Sequence, residues 1–266
     1  MKARIKFTKA GSMKFVGHLD IMRYFQKVFR RSNLPVAYSQ GFNPHQILSF
    51  AAPLGVGLTS DGEYLDLQIN SYEASATMME QINAQMNDEI KVVSFRQVED
   101  DSKPSMSMVA AADYIVSVKD GYTICDQFVE QFMEFVKRDS ITIMKKTKKS
   151  EKEMDIKPYL YHVASEKSQF EAMVGHASSD ESAEQYENGA KVYLQLTTGS
   201  VINVKPELVM EAFCNHIGVE YNEFAYQVHR MEMYADLNAE KGQVNANDGD
   251  VTRNLVPLDL LGKDFE

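Results

Sequence analysis

Glu63-Tyr64-Leu65-Asp66-Leu67-Gln68-Ile69 alternates in hydropathy, with Leu65, Leu67 and Ile69 on one side. That period of two is a half-buried strand. Just beyond it the period changes. Asn70 is positioned as a helix cap with Glu73 as its capping-box partner, and Met78, Met79, Ile82 and Met86 mark the inner stripe of a helix over 72–86. Residues 90–98 return to strand. Strand, helix, strand in succession is the unit from which the rest of the chain is read.

Working back toward the start, Arg4-Ile5-Lys6-Phe7-Thr8 is another alternating strand, with Ile5 and Phe7 inward and Arg4 and Lys6 forming a basic outer side. Residues 19–33 read as a helix. Met22, Phe25, Val28 and Phe29 line its inner stripe, and Arg23, Lys27, Arg30 and Arg31 recur on the outer one. Leu34-Pro35 ends it. A strand near 36–38 enters a turn at Gly41 and Pro44, and 47–50 extends it. The first hundred residues therefore run β-α-β-β-α-β, the split βαβ plan.

The order repeats. Strand 113–118 is followed by a helix over 125–137, with Cys125, Phe128, Val129, Phe132, Phe135 and Val136 inward. Strands at 141–144 and 190–197 come next, then a helix over 206–217 that starts at Pro206 and stops at Gly218. A last strand covers 224–234. The expected class is α+β: tandem ferredoxin-like (split βαβ) domains, antiparallel sheets with helices on one face. The expected division is 1–100 as a basic domain, 101–112 as a Ser/Met/Ala-rich linker, 113–235 as a second domain with a mobile Ser/Glu-rich insertion near 167–188, and 236–266 as a polar tail. Within that tail, Leu255-Val256-Pro257-Leu258 is apolar enough to dock.

Charge is distributed unevenly. The first fifty residues hold nine Lys/Arg and one acid, +8, so the other 216 carry −18 in a chain of net charge −10. A basic face on an acidic body suits a polyanion such as RNA. The stripe Arg23, Lys27, Arg30 and Arg31, extended by Arg4, Lys6 and Lys14, fits a phosphate backbone; its bland alternative is a solvated helix face. In the turn Tyr38-Ser39-Gln40-Gly41-Phe42-Asn43-Pro44-His45, Gln40 and Asn43 suit base edges and Tyr38, Phe42 or His45 suits stacking on an unpaired base. The alternative there is a tight turn with Phe42 in the core. A loop over 145–157, opening Lys145-Lys146-Thr147-Lys148-Lys149, would add a second basic wall. His18, at the start of the first helix, suits general acid/base chemistry on a 2′-hydroxyl with Tyr38 or a nearby Lys assisting, or simply settles the helix terminus with Asp20. Gly55-Val56-Gly57 lacks the rest of a phosphate loop and reads as a loop; Gly199-Ser200 before Lys205-Pro206 reads as a turn.

No metal site and no cofactor are expected, since Cys125 and Cys214 are too few for an iron–sulfur or four-Cys zinc centre and fall on helix faces as reduced core thiols. No apolar run approaches the ~18 residues of a membrane helix, and no export signal opens the chain, so a cytoplasmic protein that meets no membrane is expected.

The residues Lys14-Phe15, Gly17-His18-Leu19-Asp20, Arg23, Arg31, Leu34-Pro35, Tyr38 through Pro44 and Glu63-Tyr64-Leu65-Asp66 resemble a radical-SAM-associated bacterial family of unknown function. The resemblance covers about residues 3–235 and takes in Asp155-Ile156-Lys157-Pro158 and Lys205-Pro206. Members of that family stand alone or are fused to the C-terminus of cobalamin-binding radical-SAM proteins. Their genes lie near those of an E/G-type ribonuclease and of ribosomal proteins. The resemblance implies an accessory module without catalysis of its own, acting beside a radical-SAM enzyme on ribosomal or transfer RNA. The plan is also similar to that of CRISPR repeat-processing endonucleases, which would make His18 the acid/base of a metal-independent ribonuclease. A third alternative is a pure protein-interaction module for the radical-SAM partner. Oligomeric state is not legible.

Overall fold

The computed structural model describes residues 1–146, 151–199, 202–242 and 251–266. Strand β1 (Lys2–Lys9) buries Ala3, Ile5 and Phe7 on one face, under helix α1 (His18–Arg31), which presents Ile21, Phe25, Val28 and Phe29. The short β2 (Leu48–Phe50) and the long β3 (Thr59–Gln68) follow, and Ile5 stands opposite Leu65 in an antiparallel ladder. Residues 36–38 make only isolated bridges, not a strand. Helix α2 (Ser75–Asn83) is shorter than its apolar stripe suggested. It begins at Ala74 with no side-chain cap, and Glu73 accepts a hydrogen bond from Gln81 instead. Strand β4 (Val92–Val98) lies antiparallel on the other side of β1.

The stretch expected to be a linker is largely structured. It holds α3 (Ser105–Met108) and the first residues of β5 (Val109–Val118), where Ala111 and Ala112 are fully buried. Small residues there admit close packing in a central strand. Helix α4 (Phe128–Phe135) follows, then a hairpin of β6 (Thr142–Lys146) and β7 (Glu151–Asp155) where a basic loop was expected. Lys148 and Lys149 lie outside the described residues, as does Ser200. Strand β8 (Leu160–Ala164), helix α5 (Lys167–Val174), β9 (Lys191–Thr197), α6 (Pro206–Ile217) and β10 (Tyr226–Asp236) complete the second half. Phe128, Phe132 and Phe135 of α4 surround Phe213 of α6 with ring centroids 5.3–5.8 Å apart. Both cysteines are free, and the Cys214 thiol lies 3.2 Å from the Tyr226 hydroxyl.

Apart from the β6–β7 hairpin, the described strands form one large, mostly antiparallel sheet shared by both halves. Beyond α7 (Leu237–Glu240), β11 (Leu255–Pro257) pairs with β10, and β12 (Lys263–Asp264) adds to β4. The tail thus docks, burying Leu258 and Phe265. The sheet order is β12-β4-β1-β3-β10-β5-β9-β8, with β2 on β3 and β11 on β10. Helices occupy both faces, not one. Val116 of β5 faces the cluster of α4 and α6, while its neighbour Ile115 points the other way and meets Phe170 of α5. Among the described residues no helix is long and apolar enough to cross a membrane.

The halves join where β3 and β10 run parallel, Thr59 beside His229 and Ser60 beside Arg230. The buried Arg230 guanidinium forks onto Glu63 at 2.8 and 2.6 Å and also donates to the Ala52 carbonyl at 3.0 Å. Gly62 is required by this approach: a Cβ there would sit 2.5 Å from the Met231 carbonyl oxygen. Removing one partner of a buried ion pair strands the other charge, at about 3–5 kcal/mol. Glu63→Ala is therefore expected to destabilise by that amount in urea unfolding, and Gly62→Ala to destabilise through backbone displacement. Wild-type midpoints in both variants would refute the role given to this junction.

Candidate nucleic-acid interface

Helix α1 sets out the basic stripe as its periodicity predicts. Arg23, Lys27, Arg30 and Arg31 are all exposed. Arg23 is engaged by Asp20 at 2.9 Å, an exposed i,i+3 pair worth at most about 1 kcal/mol. Arg30 Nε donates to the Gln26 carbonyl at 3.1 Å, and Arg31 donates to the Gln85 carbonyl at 2.8 Å. Each of these spends one of five guanidinium N–H groups and orients the rest. Among the described residues no carboxylate pairs with Lys27, Arg30 or Arg31. Their position in the last turns also complements the helix dipole.

The turn after α1 packs beside this stripe. Gln46 donates to both the Gln26 carbonyl and the Tyr38 hydroxyl at 3.3 Å, which fixes the turn against the middle of the helix. Gly41 adopts φ +116°, a conformation open to glycine, and the chain then projects Phe42 with 111% relative exposure. Phe42 is thus an outward ring and not a core plug. Tyr38 is 46% exposed. Gln40 and Asn43 are exposed, and among the described residues their side chains make no hydrogen bond. His45 is tied back, its Nδ1 2.9 Å from Ser39 Oγ.

Three predicted members lie elsewhere. Arg4 is 1% exposed, forked onto Asp66 at 2.8 and 3.3 Å and donating to the Leu258 carbonyl at 3.2 Å. Lys6 pairs with Glu232 at 2.6 Å, and Glu232 also accepts the Tyr64 hydroxyl at 2.6 Å. Lys14 pairs with Glu184. The outer side of β1 is therefore a neutralised layer beneath other parts of the chain, and it does not extend the surface of α1. His18, half-buried at the first turn of α1, sets its ring edge-on to Phe50 with centroids 5.1 Å apart. It shares a small cavity with Lys9 and Glu63, not with Tyr38. The Lys9 ammonium is held by the Lys14 and Val16 carbonyls, and burial lowers its pKa. Among the described residues no group of three His, Cys, Asp or Glu side chains is arranged to hold a metal.

Sequence reasoning missed the buried polar layer on the sheet. Its signal was acids set in otherwise apolar strands. Asp113, wholly buried, accepts the Tyr234 hydroxyl at 2.5 Å and the Gln195 amide at 3.0 Å. Over it, the segment expected to be a mobile insertion carries α5, and Ser179 and Ser182 both donate to Asp61 at 2.8 and 3.1 Å. Burial raises the Asp113 carboxyl from 3.8 to about 7, against the opposing hydrogen bonds of Tyr234 and Gln195 and reinforced by the Glu232 charge. The folded state then binds a proton that the unfolded chain releases near pH 4. Stability contributed by this group is full below pH 4 and declines as pH rises toward 7, by a few kcal/mol in order of magnitude. Asp113→Asn is expected to flatten urea midpoints between pH 5 and 8; an unchanged pH slope would refute the assignment.

A family model described as "Uncharacterized protein conserved in bacteria (DUF2344)" matches residues 2–206. Among curated proteins, none matches this chain. One similar solved structure is the crystal structure of a Cbf5-Nop10-Gar1 complex, at TM-score 0.43 and 9% sequence identity. The alignment covers 87% of this chain and 48% of the other, so the chain spans about half the length of that neighbour.

Proposed function

Starting from the fact that the chain belongs to this bacterial family of uncharacterized proteins, DUF2344, we propose that it is an RNA-binding accessory module. The single observation that carries the reading is the joint surface of α1 and its following turn. Lys27, Arg30 and Arg31 stand there without carboxylate partners among the described residues, beside the outward ring of Phe42. Cations at helical spacing neutralise successive phosphates, and an exposed ring gives a face to an unpaired base. The scaffold in this reading is two ferredoxin-like halves fused into one sheet; the strand order β4-β1-β3 with β2, then β10-β5-β9-β8, supports it. The module would act in the cytoplasm and present ribosomal or transfer RNA to the radical-SAM enzyme that the resemblance implies.

RNA affinity is expected to fall with salt. Arg30→Ala combined with Arg31→Ala should reduce the slope by about one for each phosphate that the variant no longer neutralises. Phe42→Ala should weaken binding of single-stranded RNA by about 1–3 kcal/mol with the slope unchanged. Filter binding across a salt series decides it. Salt-independent binding, or wild-type affinity in both variants, would overturn the reading and leave the basic face to an acidic protein partner.

A further inference from the structure

Far from α1, at the β8 edge of the sheet, a cavity of about 930 Å³ opens between β8, the end of α5, the turn after α4 and the chain entering β11. It lies within the range of small-molecule sites, ~300–1,000 Å³, and is far larger than a simple anion needs. Its wall is basic in an acidic chain: Lys137, Arg138, Lys157 and Arg253 against the single carboxylate of Asp139.

These cations are not equal. Lys137 is engaged by Glu134 in an exposed pair, and Arg253 by Asp236 at 2.9 Å while it stacks on the Tyr161 ring. Arg138 and Lys157 have no carboxylate within ion-pair distance among the described residues, and Lys157 is aimed by its hydrogen bond to the Val136 carbonyl. Neutral hydrogen-bonding groups fill the middle of the wall. The Tyr161 hydroxyl is buried beneath the wall, beside Thr197 and Arg253. Burial lowers the His162 pKa, disfavouring the charged imidazolium.

We propose that this cavity binds a phosphorylated ligand of nucleotide size, its phosphate on Arg138 and Lys157 and its polar remainder facing His162. The site does not share residues with the RNA surface on α1. The same chemistry has two sources, a free nucleotide or the phosphorylated end of an RNA strand.

Titration calorimetry on the full chain with AMP, adenosine and a 5′-phosphorylated trinucleotide tests it. AMP is expected to bind at least about tenfold more tightly than adenosine, since charge-assisted hydrogen bonds carry the difference. Arg138→Ala and Lys157→Ala should each weaken AMP, whereas Arg30→Ala with Arg31→Ala should not. In the Arg30→Ala/Arg31→Ala background, which removes cations of the α1 surface, tighter Arg138-dependent binding of the trinucleotide than of AMP supports an RNA end as the source, and the reverse supports a free nucleotide. No AMP binding at millimolar concentration, equal binding of AMP and adenosine, or indifference to Arg138→Ala overturns the proposal while leaving the α1 reading standing.

Discussion

The junction of β3 and β10 is held by charge. Arg230 and Glu63 meet as a fork in the interior, and beside them Glu232 of β10 meets Tyr64 of β3 and Lys6 of β1. Desolvating ions costs several kcal/mol each and is recovered only when geometry is tight and every remaining lone pair is used. Here the recovery is close to complete: Glu232 accepts from Lys6, Tyr64 and its own neighbour's backbone N–H, and Arg230 adds the Ala52 carbonyl. Such a junction tolerates one register only. It fixes where the first half lies against the second, and with that the distance between the α1 surface and the β8 cavity.

Much of this was legible in the sequence, for local reasons. Helix α1 announces itself because its apolar and basic residues separate at a period of 3.6, and both faces emerged as read. Gly41 and Pro44 signalled a turn, and the turn projects the ring they bracket. Arg4 and Lys6 show the limit. Alternation assigns a residue to a face of a strand but not to what covers that face. Their partners, Asp66, Leu258 and Glu232, lie 62 to 254 residues away. Helix α5 was hidden for another reason: only Phe170 is buried in it, so a Ser/Glu-rich composition concealed a short helix anchored by one ring. The stretch 109–112 read as a linker because alanine packs as tightly in a central strand as it floats in a loop.

The two surfaces differ in physical character. The α1 face is open, convex and mostly uncompensated, with long side chains that keep their freedom until a polyanion arrives. The β8 cavity is concave, and three of its four cations, Lys137, Lys157 and Arg253, are already oriented by a carbonyl, carboxylates and an aromatic ring. Preorganisation of that kind favours a small ligand, because little side-chain entropy remains to be lost.

The parallel contact between β3 and β10 also has a temporal side. Thr59 waits for His229, 170 residues later in the chain. At a synthesis rate of ~5–20 residues per second, that is roughly ten to thirty seconds on the ribosome. Throughout that interval the start of β3, at Thr59 and Ser60, lacks the strand that will cover it, and Glu63 lacks its arginine. The window closes only when β10 has been made and Arg230 reaches Glu63.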